Sequence, residues 1–511
     1  MALVVVALLV AVLVLAVQRL LRAYTRFRKM ELAIPGPPSL PVLGNALDFL
    51  NVTEENVWPI LRRLWGHRYE LSRFSMLGRL VVIVSDADHI EKLMKRRDLQ
   101  DKSRVFYEFL EYFSRRGLVT LNGAEWRSHR RALQPAFHQD VLDRYMEVFT
   151  QEAAAFVGRL APNQEQNVID NLHNLTSRAF VRTTLVNELD EKTEEAIPMI
   201  NYFLHEFGRS VNSRTFQPLL WPDTVFGMTQ PGRVVRKLMT KVDAFSGRVI
   251  AQRRAEHVQR RVDGADDDED FIKQRRTLID ILVDPKSKTS DGKLFEMSDG
   301  EIMDEVKIFL GAAVETTVAA LGWTIKVLSV RPEVQERLHA EVVEQLGGKE
   351  DLTSADINKL KYTEQVIKET LRLLPSVPFT GRIIKEETEF AGHTLPADTT
   401  VVLNILGCHR DPKHWPDPTR FDPDRFSAEQ CAKRHPYAFL PFSAGMRNCI
   451  GGRYAMMVMK TTLAALVSRY RVDPVADGHT EPVDFPYTFD VSSRMLGGVR
   501  VVFTPRASRA A

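Results

Sequence analysis

Cysteine is scarce in this chain of 511 residues: only Cys408, Cys431 and Cys449 occur. An odd count with no Cys-x-x-Cys spacing argues against a disulfide framework and against a structural zinc site. It suits a catalytic domain kept in a reducing compartment. Charge of one sign is also missing. The formal net charge is +3, too small to point to nucleic acid. No convincing Gly-x-Gly-x-x-Gly unit follows a strand and opens a helix, so the chain carries no dinucleotide site of its own. There is no internal repeat and no long low-complexity linker. The length therefore reads as one large domain rather than a string of small ones.

Charge is absent altogether from Met1 to Gln18, a run made almost wholly of Leu, Val and Ala. It extends through Leu20 and Leu21 if Arg19 snorkels to the headgroups. About 20 apolar residues at ~1.5 Å each span a ~30 Å hydrocarbon core. Arg19, Arg22, Arg26, Arg28 and Lys29 all follow the run and no base precedes it, which keeps the following domain in the cytosol. A cleaved signal peptide would need a basic start and a cleavage site, so an uncleaved anchor is expected over residues 1–30. Pro35-Gly36-Pro37-Pro38 then holds the chain extended, a stiff hinge over 31–38. The catalytic domain is expected over 39–511.

Along that domain the period of the apolar residues predicts mostly helix. Leu80 to Val84 reads as a strand and Asp86 to Arg96 as a helix. Residues from Ala124 to Asn187 are mainly helical. Asn201 to Gly232, richer in Pro, Phe, Gly and Ser, reads as irregular or as short helices with loops. Arg233 to Arg261 is amphipathic and basic, and the acidic Gly264 to Asp270 reads as a solvated loop. Ser298 to Arg331 is expected to be the longest helix, opened by a Ser298–Glu301 capping box and followed by Pro332. Val334 to Leu346, Ser354 to Leu374 and Tyr454 to Tyr470 read as helices, Thr388 to Leu406 as hairpin strands, and Arg500 to Phe503 as a terminal strand. The fold class is mainly α with a small, mostly antiparallel β part.

Four segments carry chemistry. The first is Phe442-Ser443-Ala444-Gly445-Met446-Arg447-Asn448-Cys449-Ile450-Gly451. A thiolate in such a loop can be the single protein ligand of a haem iron, and thiolate ligation favours O–O cleavage. The glycines let the backbone come close and offer N–H groups to the sulfur. Arg447 supplies a rigid fork of donors suited to a haem carboxylate. The second segment, Glu369-Thr370-Leu371-Arg372, places an acid and a base three apart on one helical face. The third is Ala312 to Thr317, where an acid beside a threonine in an apolar helix is costly unless used. Thr316 could also simply bond its own i−4 carbonyl. In the fourth, Trp126-Arg127-Ser128-His129-Arg130, Trp126 and Arg130 share a face.

The loop around Cys449 fills every fixed position of the haem-binding loop Phe-x-x-Gly-x-Arg-x-Cys-x-Gly and so resembles that of the cytochromes P450. The match runs from anchor to terminal strand. It is most similar to family 4, in its microsomal, arthropod-like members, through Trp126 to His138, Glu305-Val306-Lys307 and Val377 to Arg382. The resemblance implies a single cytochrome P450 fold behind a transmembrane helix. Cys449 would ligate the iron of haem b, with Phe442, Gly445 and Gly451 shaping the loop and Ala312 over the ring. Arg447, Arg130, Trp126 and Arg382 would meet the haem propionates. Thr316 would be the hydroxyl of oxygen activation, with Glu315 on the proton route. Glu369, Arg372 and Arg425 would form a buried supporting triad, with Asp424 standing where many relatives have Glu. Ala313 stands where glycine is common.

Ala312 occupies the position at which several relatives carry a glutamate esterified to haem, so the haem is expected not to be covalently linked. Substrate contacts are expected from residues 106–118, 201–226, 312–316, 376–379 and 492–496. The implied activity is a monooxygenase acting on a fatty acid, a steroid hormone or a xenobiotic. NADPH-cytochrome P450 reductase would supply electrons, with cytochrome b5 as a second donor, at the endoplasmic reticulum membrane. Arg127 and Arg131 could help form a basic patch for an acidic electron donor. The alternatives are an isomerase or dehydratase on the same fold and a non-enzymatic haem carrier.

Overall fold

The computed structural model describes residues 2–65, 70–186, 188–262, 277–284, 292–294 and 296–507. The loop expected over Gly264 to Asp270 lies outside them. Seven helices position the site: α1 (Ala2–Ala33), α2 (Gly123–Leu133), α3 (Ile169–Phe180), α4 (Glu191–Phe216), α5 (Asp299–Val330), α6 (Lys361–Leu373) and α7 (Gly452–Arg469).

Two of these helices are long and apolar enough to cross a membrane, and their burial separates them. None of the apolar window of α1 is buried against protein, whereas 72% of that of α5 is. A helix that is apolar nearly all round and covered by protein is a core helix. The capping box at Ser298 is present in both directions, the Glu301 N–H donating to Ser298 Oγ and the Ser298 N–H to the Glu301 carboxylate. Arg331 ends the helix, just before Pro332.

The far end of α1 is tied to the domain. Glu31 is buried and accepts from Arg28 Nη1 at 2.6 Å, Ser75 Oγ at 2.7 Å and Ser39 Oγ at 3.1 Å. Arg73 Nε donates to the Glu31 carbonyl at 2.8 Å. Helix therefore continues to Ala33 and meets the Pro35–Pro38 segment already packed on the domain.

One mixed sheet flanks the helices. Its strands β1 (Leu71–Met76), β2 (Arg79–Val84), β3 (Phe379–Ile384) and β4 (Thr399–Asn404) lie in the order β1-β2-β4-β3. Only the β2–β4 pair is parallel, with Val82 opposite Val401. The β-branched run Val81 to Val84 is buried on both faces, as parallel pairing demands. The terminal strand Arg500–Pro505 pairs with Glu165–Asn167 and Tyr470–Pro474.

The structure corrects three expectations. Asn201 to Phe216 is regular helix, the second half of α4, and only the residues after it form the expected short helices, Pro218–Leu220 and Asp223–Met228. Its Phe, Gly and Ser residues serve packing. Phe203 and Phe207 stack on each other and meet Phe113 at tilted angles, while a Cβ at Gly208 would sit 3.3 Å from that of Asp490. Ser354 to Leu374 is two helices, Ser354–Lys359 and α6, because Glu341 takes the N–H groups of Tyr362 and Thr363 and starts a new helix there. The longest described helix is Gln230–Val262, at 33 residues one longer than α5.

His409 follows the short helix Ile405–Cys408 and is fully enclosed; its Nε2 accepts the Leu440 N–H at 2.7 Å. Burial, with Arg372 nearby, pushes its pKa down to about 3. A base with a depressed folded pKa is neutral in the native state and charges on unfolding. Its stabilising contribution is complete above the unfolded value of ~6.5 and is lost as pH falls from there toward about 3. Thermal unfolding measured between pH 7 and 4 should fall by up to ~1.4 kcal/mol per pH unit from this group alone. His409→Gln should flatten that limb; an unchanged slope would refute the assignment.

Candidate active site

Cys449 has no strand or helix to hold it. Its N–H donates to the Phe442 carbonyl at 2.9 Å, closing the loop on itself. Gly445 sits at φ +67°, and a Cβ there would lie 3.1 Å from the Met94 carbonyl, so the turn needs glycine twice over. The Phe442 ring packs on Gly452 at the start of α7, about where a Cβ would stand 3.3 Å from it. The thiol is enclosed by protein, and burial pushes its pKa up; the Gly451 N–H and the Arg130 charge pull the other way. Yet its surface is accessible. Both hold when the accessible surface faces an internal space. Ala312 behaves alike: it is exposed in mid-helix while Leu310 and Val314 on either side are buried.

The loop and α2 grip each other. Arg447 leaves the loop, lies 4.3 Å from the Trp126 ring centroid and donates to the Leu121 carbonyl at 2.9 Å. Arg130 leaves α2 and donates through Nη1 and Nη2 to the Asn448 carbonyl and Oδ1, each at 2.9 Å. Both terminal nitrogens of Arg130 are therefore engaged beside the cysteine. Phe137 ties the loop to α5: it stacks on Phe309 at 5.6 Å, and its edge is 4.0 Å from a Cβ built on Gly451.

On α5 the Thr316 hydroxyl donates to the Ala312 carbonyl at 2.7 Å. Glu315 reaches sideways to α3, where its carboxylate meets His173 Nε2 at 3.2 Å. His173 Nδ1 faces the Ile169 carbonyl at 3.1 Å. Two acceptors on one imidazole call for two protons on the pair. Burial presses the His173 pKa down, but the Glu315 carboxylate and the Ile169 carbonyl outweigh it and leave it raised. Ser376 Oγ donates to the Thr316 carbonyl at 2.8 Å. Ser493 Oγ accepts from Trp323 Nε1 at 3.0 Å and donates to the Pro375 carbonyl at 2.8 Å. Two of the expected substrate-lining segments are thus fastened to α5.

A cationic group stands at the edge of the same region. Arg382, on β3, is fully buried, and its Nε and Nη2 have no hydrogen-bond partner among the described residues. Arg447 is driven down to about 9 by burial, with the Arg382 charge adding to it. Lys102 is held well below the usual lysine range by burial and by both arginines. Among the described residues no carboxylate forms an ion pair with any of the three.

Glu369 and Arg372 of α6 are fully buried and bidentate, at 2.7 and 2.8 Å. Arg372 also donates to the carbonyls of His409, Pro418 and Arg420, and Glu369 accepts the Asp422 N–H at 2.8 Å. Arg425 Nε lies 3.6 Å from the same carboxylate. Asp424 points elsewhere, to a bidentate pair with Arg337. The sequence reading did not single out His173 or Lys102, which belong to no motif, and held Tyr107 and Ser376 only within the expected substrate-contact segments 106–118 and 376–379.

The sequence model described as Cytochrome P450 matches residues 34–493. The chain is 31% identical over 452 residues to cytochrome P450 4c21 of Blattella germanica, covering 87% of this chain and 88% of that one. It is 29% identical over 490 residues to cytochrome P450 4c3 of Drosophila melanogaster, covering 93% and 89%. Among solved structures, the cytochrome P450DA heme domain superposes with a TM-score of 0.74 at 21% identity, over 93% of this chain and 96% of that one.

Glu369→Ala would strand Arg372 in the interior. Removing one partner of a buried pair costs ~3–5 kcal/mol, so a Tm drop of several degrees is expected for the variant. A Tm within one degree of wild type would show that the pair holds nothing.

Proposed function

The chain belongs to the cytochrome P450 family and is a cytochrome P450 monooxygenase, and on that premise we propose that it places one atom of O2 in a lipophilic substrate, with electrons passed from NADPH by a separate flavoprotein reductase. Cytochrome b5 is the second electron donor in this reading. The substrate is a fatty acid, a steroid hormone or a foreign compound. The apolar helix α1 is a candidate membrane span, and we assign it to the endoplasmic reticulum membrane with residues 39–511 on the cytosolic side.

The observation that carries the reading is the Cys449 thiol, packed round by protein yet with accessible surface, in a loop that Phe137 ties to α5. The residues fit a haem. A thiol that burial keeps protonated is poised to lose its proton to a metal, and the Gly451 N–H and Arg130 favour the anion. The buried, unspent nitrogens of Arg382 suit a haem carboxylate. Phe442 and Gly451 would bracket the ligand loop. Ala312 offers only a methyl group, so no ester can form and the haem is held without a covalent link. Bound there, the haem iron supplies oxygen activation.

The chain's own part is to bind, to exclude water and to move protons. Thr316 donates its hydroxyl proton to Ala312 and so leaves its lone pairs free to accept. Glu315 and His173 share protons one helix away. The pair stays charged below an ordinary histidine pKa and opens as pH rises through the raised value. We assign this pair to the proton route, with Glu315 as the group that turns toward Thr316. Phe113, Phe203 and Phe207 form the aromatic wall of the apolar pocket in this reading.

One observation favours the second reading, a P450-fold isomerase or dehydratase: the Thr316 hydroxyl is spent on its own helix. Such an enzyme rearranges a peroxide without reductase. Product formed only with reductase and NADPH supports the oxygenase; rearrangement without them supports the alternative.

Cys449→Ala should abolish the thiolate-type Soret band of the reduced CO complex, and its retention would remove the ligand assignment. Thr316→Ala should lower product formed per NADPH consumed by roughly 10-fold or more, the scale of a lost proton-transfer group. Unchanged coupling would take Thr316 out of the proton route.

A further inference from the structure

Glu305 is buried on α5 and takes no part in the chemistry assigned above. Its two carboxylate oxygens are divided. Oε1 meets His129 Nδ1 of α2 at 2.7 Å, and Oε2 accepts the Leu118 N–H at 3.1 Å. One side chain thereby holds both ends of the segment 118–129. The residue before it repeats the grip, with Asp304 Oδ2 accepting the Arg116 N–H at 3.2 Å. Between these two bonds Gly117 packs closely on α5: a Cβ there would lie 2.7 Å from Ile308 Cγ2, nearer than a side chain can come without a shift.

The same segment also meets the cysteine loop. The Leu121 carbonyl accepts from Arg447, and Arg130, next to His129, donates to Asn448. Residues i, i+4 and i+7 of a helix share a face, and along that face α5 carries Glu305, Phe309 and Ala312. Glu305 bonds the segment, Phe309 stacks on Phe137, and Ala312 is exposed in mid-helix. Contact gives way to open surface within two turns, about 10 Å of helix. We infer that Glu305 is a positioning residue: by spanning from Leu118 to His129 it fixes how far α5 stands from the Cys449 loop, and so the separation of Ala312 and Cys449, whose surfaces are left accessible in the interior. The inference rests on the haem reading only for what lies between them. A carboxylate suits the task because it offers an acceptor to each end of the segment. An apolar side chain of the same volume would leave the buried Leu118 N–H unmet.

The test uses the full-length holoprotein in detergent. Amide hydrogen exchange is followed by mass spectrometry for wild type, Glu305→Met, Glu305→Gln and His129→Phe, together with the Soret band of the reduced CO complex. Met fills the volume and accepts nothing, whereas Gln keeps the reach and an acceptor. Loss of both bonds predicts exchange roughly 10- to 100-fold faster in Glu305→Met at residues 116–122 and 445–451, with part of the thiolate-type band lost. Glu305→Gln should stay within a few-fold of wild type, and the terminal strand Arg500–Pro505 should exchange as before. Wild-type exchange at 445–451 in Glu305→Met would overturn the inference. An equal rise in the terminal strand would also overturn it, since the whole fold would then have loosened. So would equal losses in the Met and Gln variants, because charge and not span would be at work. If Glu305→Met does not accumulate as folded protein, His129→Phe, which breaks one of the two bonds, decides: faster exchange at 445–451 supports the inference and wild-type exchange overturns it. A wild-type chain that takes up no haem would instead bring down the reading beneath, and the exchange comparison on the haem-free chain would still decide the role of Glu305.

Discussion

The Cys449 loop has no ladder of its own, and everything proposed for this chain depends on where its sulfur points. Four contacts fix it: the loop's bond to Phe442, the Gly451 N–H at the sulfur, and the reciprocal reach of Arg447 to Leu121 and Arg130 to Asn448. The two arginines cross between loop and α2 in opposite directions, so neither element can move without the other. A short loop held by charge-assisted bonds at Arg447 and Asn448, next to the cysteine, can keep a thiol in place without regular secondary structure.

Charge in the interior is handled in two ways. Where the task is support, it is neutralised: Glu369 faces Arg372, and Glu305 takes His129 Nδ1 at 2.7 Å and the Leu118 N–H at 3.1 Å. Burying such pairs is costly, but each is fully bonded, and breaking one is costlier still. Around Arg382 cations gather, and the nearby Asp101 carboxylate pairs with Lys385.

Much of the fold could be read from residue order. The capping box at Ser298, the β-branched run at Leu80 and the proline after Arg331 each act within a few residues, and each element appeared where expected. The errors fell where long-range packing overrides composition. The second half of α4 looked irregular because Phe, Gly and Ser were taken for loop residues. They are the inner face of a helix against Phe113 and Asp490. The single helix expected over Ser354 to Leu374 is broken by Glu341, a residue from the preceding helix.

The sequence by itself determined the family and the helix with the acid–threonine pair, because these are carried by residue types at fixed short spacings. Only the tertiary structure decided which charges meet. It turned Glu315 toward His173, engaged Arg130 with Asn448 and brought Lys102 opposite Arg382. Positions 102 and 382 are far apart in the chain, and no local spacing encodes a partner that arrives across a sheet. Electrostatic energy depends on distance in space, and that distance exists only once the chain has folded.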